Sequence, residues 1–195
     1  HMKKDIILAG VGGQGILSIA AIIGLAAMKK GWFIKQSEVH GMSQRGGDVQ
    51  SHLRISDKYI WSDLIPQGEA DIIISMEPME CLRYVNMLKE KGWLITNSQP
   101  FQNIPNYPDT KDIEAEIKKL KNHIIIPATQ IAKEINTEKS VNVVILGAAY
   151  NYLGVEEEFL IEAIRTLFTK KGESVVNQNI NAFEAGKKFA ITYIQ

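Results

Sequence analysis

Asp5-Ile6-Ile7-Leu8-Ala9-Gly10-Val11-Gly12-Gly13-Gln14-Gly15 is a short apolar run that breaks into glycines. An unbroken apolar run of this length, stopped by glycines, is what a strand buried on both faces requires. Directly after it, residues 14–30 carry Ile16, Ile19, Ile23 and Ala27 along one helical stripe, and Gly31 supplies a C-terminal stop. Strand, glycine turn and helix in that order open a βα unit. They set the fold class as α/β.

Outward from that unit the alternation continues. Residues 32–35 read as a second strand, and a second glycine-bearing turn follows from Glu38 to Gly47. Val49, Ser51, Leu53 and Ile55 then alternate with Gln50, His52, Arg54 and Ser56, a rhythm of period two. After Ser56-Asp57-Lys58 the extended pattern resumes over residues 59–64, which predicts a β-hairpin between these two stretches. Residues 71–75 (DIIIS) predict another buried strand, and Pro78 suits the first turn of a helix running to about Lys91. Residues 94–96 and 123–126 are predicted strands, and the prolines at 100, 105 and 108 mark a loop between them. A charged helix is predicted over 111–121, with Glu114 and Lys118 four apart. Helices follow over 129–135, 141–153 and 156–168, with a last one from Val175 or Asn179 to Tyr193. This pattern predicts a three-layer α/β/α Rossmann-like domain, with helices on both faces of a mixed sheet that includes a β-hairpin. No repeat or low-complexity linker divides the chain, so residues 2–195 are expected to form one domain, with His1-Met2 as a tag remnant.

Composition narrows the function classes. Lysine plus arginine (22) equals aspartate plus glutamate (22), so no global field favours nucleic acid or an anionic membrane. No apolar run approaches the ~20 residues of a membrane span. No signal peptide is read ahead of the first strand, and the expected location is cytoplasmic. The one cysteine, Cys81, excludes an internal disulfide and any multi-cysteine zinc or iron–sulfur site within the chain.

Two turns carry the chemistry. Gly10, Gly12 and Gly15 fit G-x-G-x-x-G, and a helix N-terminus behind such a turn offers free N–H groups and a partial positive charge to an anion. The plain structural alternative is a tight turn whose glycines only allow close helix–sheet packing. A dinucleotide site would also need an acid ending the second strand. Glu38 stands there, but a turn rich in glycine and arginine follows it at once, a poor setting for binding a ribose. That second turn, Glu38-Val39-His40-Gly41-Met42-Ser43-Gln44-Arg45-Gly46-Gly47, sets His40, Ser43, Gln44 and Arg45 among glycines. Arg45 can present a bidentate fork to a carboxylate or phosphate, the alternative being an intrachain ion pair. Gly10, Gly12, Gly13, Gln14, Gly15, His40, Ser43, Gln44, Arg45, Gly46 and Gly47 are therefore the candidate cofactor-binding or interface residues. His52 is read as a paired sheet residue and Cys81 as core. Glu156-Glu157-Glu158 is read as a favourable helix start, and the asparagines 177, 179 and 181 as caps of the last helix. No nucleophile with its base and no metal triad is found, so no catalytic residue is assigned.

Gly10 to Gly15, the Glu38 to Gly47 turn and the strand 49–55 resemble the gamma-type domain of 2-oxoacid:ferredoxin oxidoreductases. The E-V-H-G-M-x-Q-R-G-G form is most similar to the beta subunit of the indolepyruvate members, and Asn181-Ala182-Phe183-Glu184-Ala185-Gly186 resembles the family's A-F-x-x-G close. The resemblance covers nearly the whole chain. It implies a subunit that is inactive alone, with thiamine diphosphate and iron–sulfur clusters bound by a larger partner chain and electrons passed to ferredoxin. The implied reaction is oxidative decarboxylation of an aryl pyruvate to an acyl-coenzyme A. The glycine turns would then meet either the partner chain or the phosphates of coenzyme A. Two competing readings are a freestanding Rossmann-like oxidoreductase binding a nucleotide by its first turn, and a pure binding module.

Overall fold

The computed structural model describes residues 1–40, 47–102 and 104–194. These form six strands: β1 (Lys3–Val11), β2 (Phe33–His40), β3 (Asp48–Ser56), β4 (Ala70–Ser75), β5 (Leu88–Asn97) and β6 (His123–Ile126). Their helices are α1 (Ile16–Lys29), α2 (Pro78–Leu82), α3 (Thr110–Lys118), α4 (Ala128–Glu134), α5 (Val141–Leu153), α6 (Glu157–Phe168) and α7 (Glu173–Ile194). The strands lie in one sheet in the order β2-β3-β1-β4-β5-β6. β1, β4, β5 and β6 run parallel, whereas β3 is antiparallel to both of its neighbours. The sheet is mixed, as the sequence predicts.

Each central strand sends alternate residues to opposite faces. Ile6, Leu8, Leu53, Ile72 and Ile95 join the core under α1 and α5, and Ile7, Ala9, Ile73, Leu94 and Ile125 join a smaller one under α2 and α3. Coverage is unequal. The first face is roofed along its length, with α6 packed on α1 and α7 on α5. On the second face α2 and α3 pack on β1, β4, β5 and β6. Over β2 and β3 that face carries the irregular segment 57–68.

Several elements differ from expectation. The hairpin is made by β2 and β3, joined through residues 41–47, and not by residues 49–55 and 59–64. The reason lies in the edges of β3: β1 takes one and β2 the other, so residues 59–64 have no edge to pair with. That segment is pinned by side chains instead. Ile65 N–H donates to Nδ1 of His52 (3.2 Å), and Arg54 Nη1 donates to the carbonyls of Ser62 and Leu64 (both 3.1 Å). The second strand runs on to His40 and takes in Glu38 and Val39, which the sequence assigned to the turn.

The helix expected to reach Lys91 ends at Leu82, because pairing of Leu88 with Ala70 starts β5 early. Glu156 caps nothing with its side chain and takes the Lys30 ammonium at 2.6 Å. Asn179 lies inside α7, where its Nδ2 donates to the Val175 carbonyl at 2.9 Å, so it is no cap. Glu114 and Lys118 do pair, at 3.8 Å. Among the described residues no helix is long and apolar enough to cross a membrane.

Candidate functional site

After β1 the chain leaves through α1 over the first face, and after β4 it leaves through α2 over the second. A crevice must open outside the carboxyl ends of β1 and β4, where the two connections part. The first glycine turn sits at that point, and packing and backbone conformation each call for glycine in it. A Cβ on Gly10 would lie 2.8 Å from Ile16 Cδ1 and 3.1 Å from Met76 Cβ, so that position is set by close packing. Gly13 and Gly15 have φ of 91° and 83°, left-handed values that glycine adopts without strain. Gln14 Oε1 accepts from the Val11 N–H at 2.7 Å, which folds the turn back on the strand. Gly15 occupies the N-cap of α1 with no side-chain cap. The amides of Gly15, Ile16, Leu17 and Ser18 therefore stand outside the intrahelical ladder, as at any helix start.

The second turn arrives at the same edge. Pairing of β1 with β3 sets Gly10 opposite Val49 and Val11 opposite Asp48. Just beyond the last pair, Gly12 N–H donates to the Gly47 carbonyl at 2.9 Å. The two glycine turns are thus joined by a main-chain hydrogen bond. On the other arm His40 closes β2, paired in register with Val49. Ser43, Gln44, Arg45 and Gly46 lie outside the described residues.

Two grooves flank this junction. One, of about 460 Å³, is lined by Gly13, Gln14, Met76, Asn97, Thr129 and Asn142, with Lys139 also on its wall. The other, of about 400 Å³, runs past Gly12, Leu17, Glu38 and Val49. Side-chain amides organise the first groove. Asn97 Oδ1 accepts from Ala128 N–H (3.2 Å) and Gln99 N–H (3.3 Å), while its Nδ2 donates to Thr129 Oγ1 (3.0 Å). Asn142 Nδ2 donates to the Gly15 carbonyl at 3.1 Å. Asn97, Thr129, Lys139 and Asn142 were missed in the sequence. Their signal is positional: polar residues at the ends of parallel strands and the starts of the helices behind them.

The titratable groups nearby serve structure. His52 spends Nδ1 on Ile65 and faces Gln50 with Nε2 (3.2 Å), and burial lowers its pKa. Cys81 is fully buried, its thiol pushed up by that burial and donating to the Pro78 carbonyl. Glu77 caps α2 by accepting from Glu80 N–H (2.8 Å), and it also accepts from the Tyr107 hydroxyl. Burial raises the pKa of Glu80 and pushes Tyr84 up to about 12. Among the described residues no three His, Cys, Asp or Glu side chains gather as a metal site would need. Main-chain N–H groups, amides and one lysine can bind an anion or an extended polar ligand.

The chain is 36% identical to the indolepyruvate oxidoreductase subunit IorB of Pyrococcus horikoshii, over 97% of both proteins, and 37% identical to that of Thermococcus kodakarensis over the same shares. Ketoisovalerate oxidoreductase subunit VorA of Methanothermobacter marburgensis is 27% identical over 94% of this chain but only 36% of its own length. Among solved structures, a 2-oxoglutarate:ferredoxin oxidoreductase from Magnetococcus marinus, with 2-oxoglutarate, coenzyme A and succinyl-CoA bound, superposes with a TM-score of 0.79. Its identity is 26%, across 98% of this chain and 32% of that one. The gamma subunit of a keto/oxoacid ferredoxin oxidoreductase from Geobacter sulfurreducens matches with a TM-score of 0.71 and 26% identity over 97% and 99% of the two chains. With residues 5–189 matching its pattern, the chain belongs to the pyruvate ferredoxin/flavodoxin oxidoreductase family.

Proposed function

We propose that this chain is the small subunit of an indolepyruvate-type 2-oxoacid:ferredoxin oxidoreductase. Residues 2–195 act as one gamma-type domain that carries no redox centre and works in the cytoplasm with a larger chain. That partner holds thiamine diphosphate and the iron–sulfur clusters and passes electrons to ferredoxin. The assembled enzyme decarboxylates an aryl 2-oxoacid oxidatively and delivers the acyl group to coenzyme A. The observation that carries the reading is the junction of the two glycine turns through Gly12 and Gly47, in a chain 36% identical over nearly its full length to a protein named as a subunit. That likeness, to proteins that are themselves named subunits, favours this reading over a freestanding nucleotide-binding enzyme.

The groove beside the junction suits part of coenzyme A. The N-terminus of α1 and Lys139 supply positive charge for a phosphate, and Asn97 and Asn142 offer amides to a chain that itself carries amides. When bound, the coenzyme contributes the thiol that takes the acyl group. The part played by this chain is to hold and cover it, with Gly13, Gln14, Gly15 and Arg45 as the contacts.

Anaerobic co-expression with the large subunit tests the proposal. Indolepyruvate- and coenzyme A-dependent reduction of an electron acceptor should require both chains. With the large subunit intact, the absence of both a complex and activity would return the chain to the nucleotide-binding reading.

A further inference from the structure

Among the described residues no helix packs on the second face of β2 and β3, and an aromatic ladder stands on it. Phe33 meets Tyr59 edge-on at 5.8 Å between ring centres, and Tyr59 meets Trp61 edge-on at 4.8 Å. Their exposures are 47%, 54% and 90%. Leu64 and Val39 on the same side are about half exposed. The ladder is not loose. Arg54, itself paired to the buried Asp5 at 2.9 Å, grips the main chain at Ser62 and Leu64, and His52 grips it at Ile65.

We propose that this ladder is the anchor by which the chain docks on the large subunit of its own enzyme, an inference that rests on the subunit reading above. Area supports it. Side chains of this kind bury ~150–250 Å² each, so covering the exposed parts of the three rings removes on the order of 400 Å² from water. That is about half of the ~800 Å² per partner that a stable interface takes. A patch of this size is comparable to the largest that a typical monomer exposes, and such patches are often functional. Length supports the choice of occupant. In VorA and in the Magnetococcus marinus enzyme the matching unit is only about a third of the chain, so there it is continuous with a larger polypeptide. The relatives named as IorB subunits are matched over 97% of their own length, which favours a separate chain as the neighbour here. Tryptophan and tyrosine held rigidly before binding are also the side chains that dominate interface energetics, because little freedom is lost on docking. The occupant is therefore an apolar socket on the large subunit that takes the edge of the Trp61 indole.

The test uses the co-expressed complex. Amide hydrogen exchange of this chain, free and in the complex, should show protection over residues 57–64 and along β2. The double variant Tyr59→Ser/Trp61→Ser should keep the melting temperature of the free chain and weaken the complex by roughly 30-fold or more. Unchanged affinity in a folded variant, or protection confined to other surfaces, overturns the docking site and leaves the subunit reading standing. A wild-type pair that forms no complex overturns both. A concentration-dependent dimer of this chain that protects the ladder overturns the choice of occupant.

Discussion

Asn142 Nδ2 donates to the carbonyl of Gly15 at 3.1 Å, tying the first turn of α5 to the last residue of a glycine turn 127 positions earlier. The contact is tight from both sides, since a Cβ placed on Gly15 would sit 2.6 Å from the same nitrogen. The groove at the carboxyl edge therefore owes its shape to a pair that no local sequence pattern joins.

Gly15→Ala is expected to cost about 2 kcal/mol or more: ~1–2 from forcing a side chain into the left-handed region, and the remainder from the clash with Asn142. Asn142→Ala should cost ~1 kcal/mol for the lost hydrogen bond. The double variant should cost less than the sum, because removing the amide relieves the clash. Urea unfolding of the four proteins measures this coupling, and strict additivity would show that the two residues do not constrain each other.

Gly186 and Gly147 make the crossing of α7 over α5. A Cβ on Gly186 would fall inside contact distance of the Val144 carbonyl, and one on Gly147 would do the same at the Phe183 carbonyl. Helix propensity alone favours Gly→Ala by ~1 kcal/mol. Backbone atoms cannot step aside, so overpacking should win, with a net loss of about 3 kcal/mol for Gly186→Ala. For a chain of this size that lowers Tm by roughly 6–12 °C. Gly24→Ala in α1 is the contrast. Its Cβ would meet Ile34 Cδ1 at 3.7 Å, an ordinary contact, so Tm should hold or rise.

These residues mark what was legible in the sequence. Buried strands such as DIILA and DIIIS announce themselves, because a strand covered on both faces is apolar along most of its length. The two glycine turns could be placed at one edge, and Gly12 meets Gly47 there. Period-two alternation tells that a segment is extended, not which edge is vacant, so the pattern over 49–64 points to a hairpin that β2 in fact makes with β3. Asn97 and Asn142 stayed hidden for a related reason. An asparagine becomes a site residue only when topology brings the strand ends and helix starts together. The Ala182-Phe183-Glu184-Ala185-Gly186 segment could be matched to a family, but its physical reason, close passage of two helix backbones, shows only in the packing.

Protonation of His52 should loosen the segment that carries the aromatic ladder. Its Nδ1 accepts the Ile65 N–H, so the native state needs that nitrogen bare. Burial lowers the pKa from 6.5; the Asp63 carboxylate opposes the shift and the Arg54 guanidinium adds to it. The unfolded chain then binds the proton more readily than the folded one. Stability from this group is complete above pH 6.5 and is lost as pH falls through the lower native value. The protection factor of the Ile65 amide, which divides out the intrinsic slowing of exchange in acid, should fall between about pH 7 and pH 5, and His52→Gln should flatten that dependence. An Ile65 amide equally protected at both ends would contradict the coupling.

Arg45→Ala should damage the assembled enzyme while leaving the free subunit folded. The base of the turn is secured without it, by the Gly12–Gly47 hydrogen bond and the β2–β3 pairing. Charge-assisted hydrogen bonds are worth ~1.5–3 kcal/mol, so the loss of an anion or interface contact corresponds to roughly 10- to 100-fold. If the turn meets coenzyme A, the loss falls on KM for the coenzyme with the complex intact. If it meets the large subunit, it falls on complex stability. Arg45→Lys separates charge from geometry, since an ammonium cannot reproduce a bidentate fork and should rescue only part of the effect. Unchanged turnover, coenzyme A dependence and assembly in Arg45→Ala would remove this residue from the functional edge.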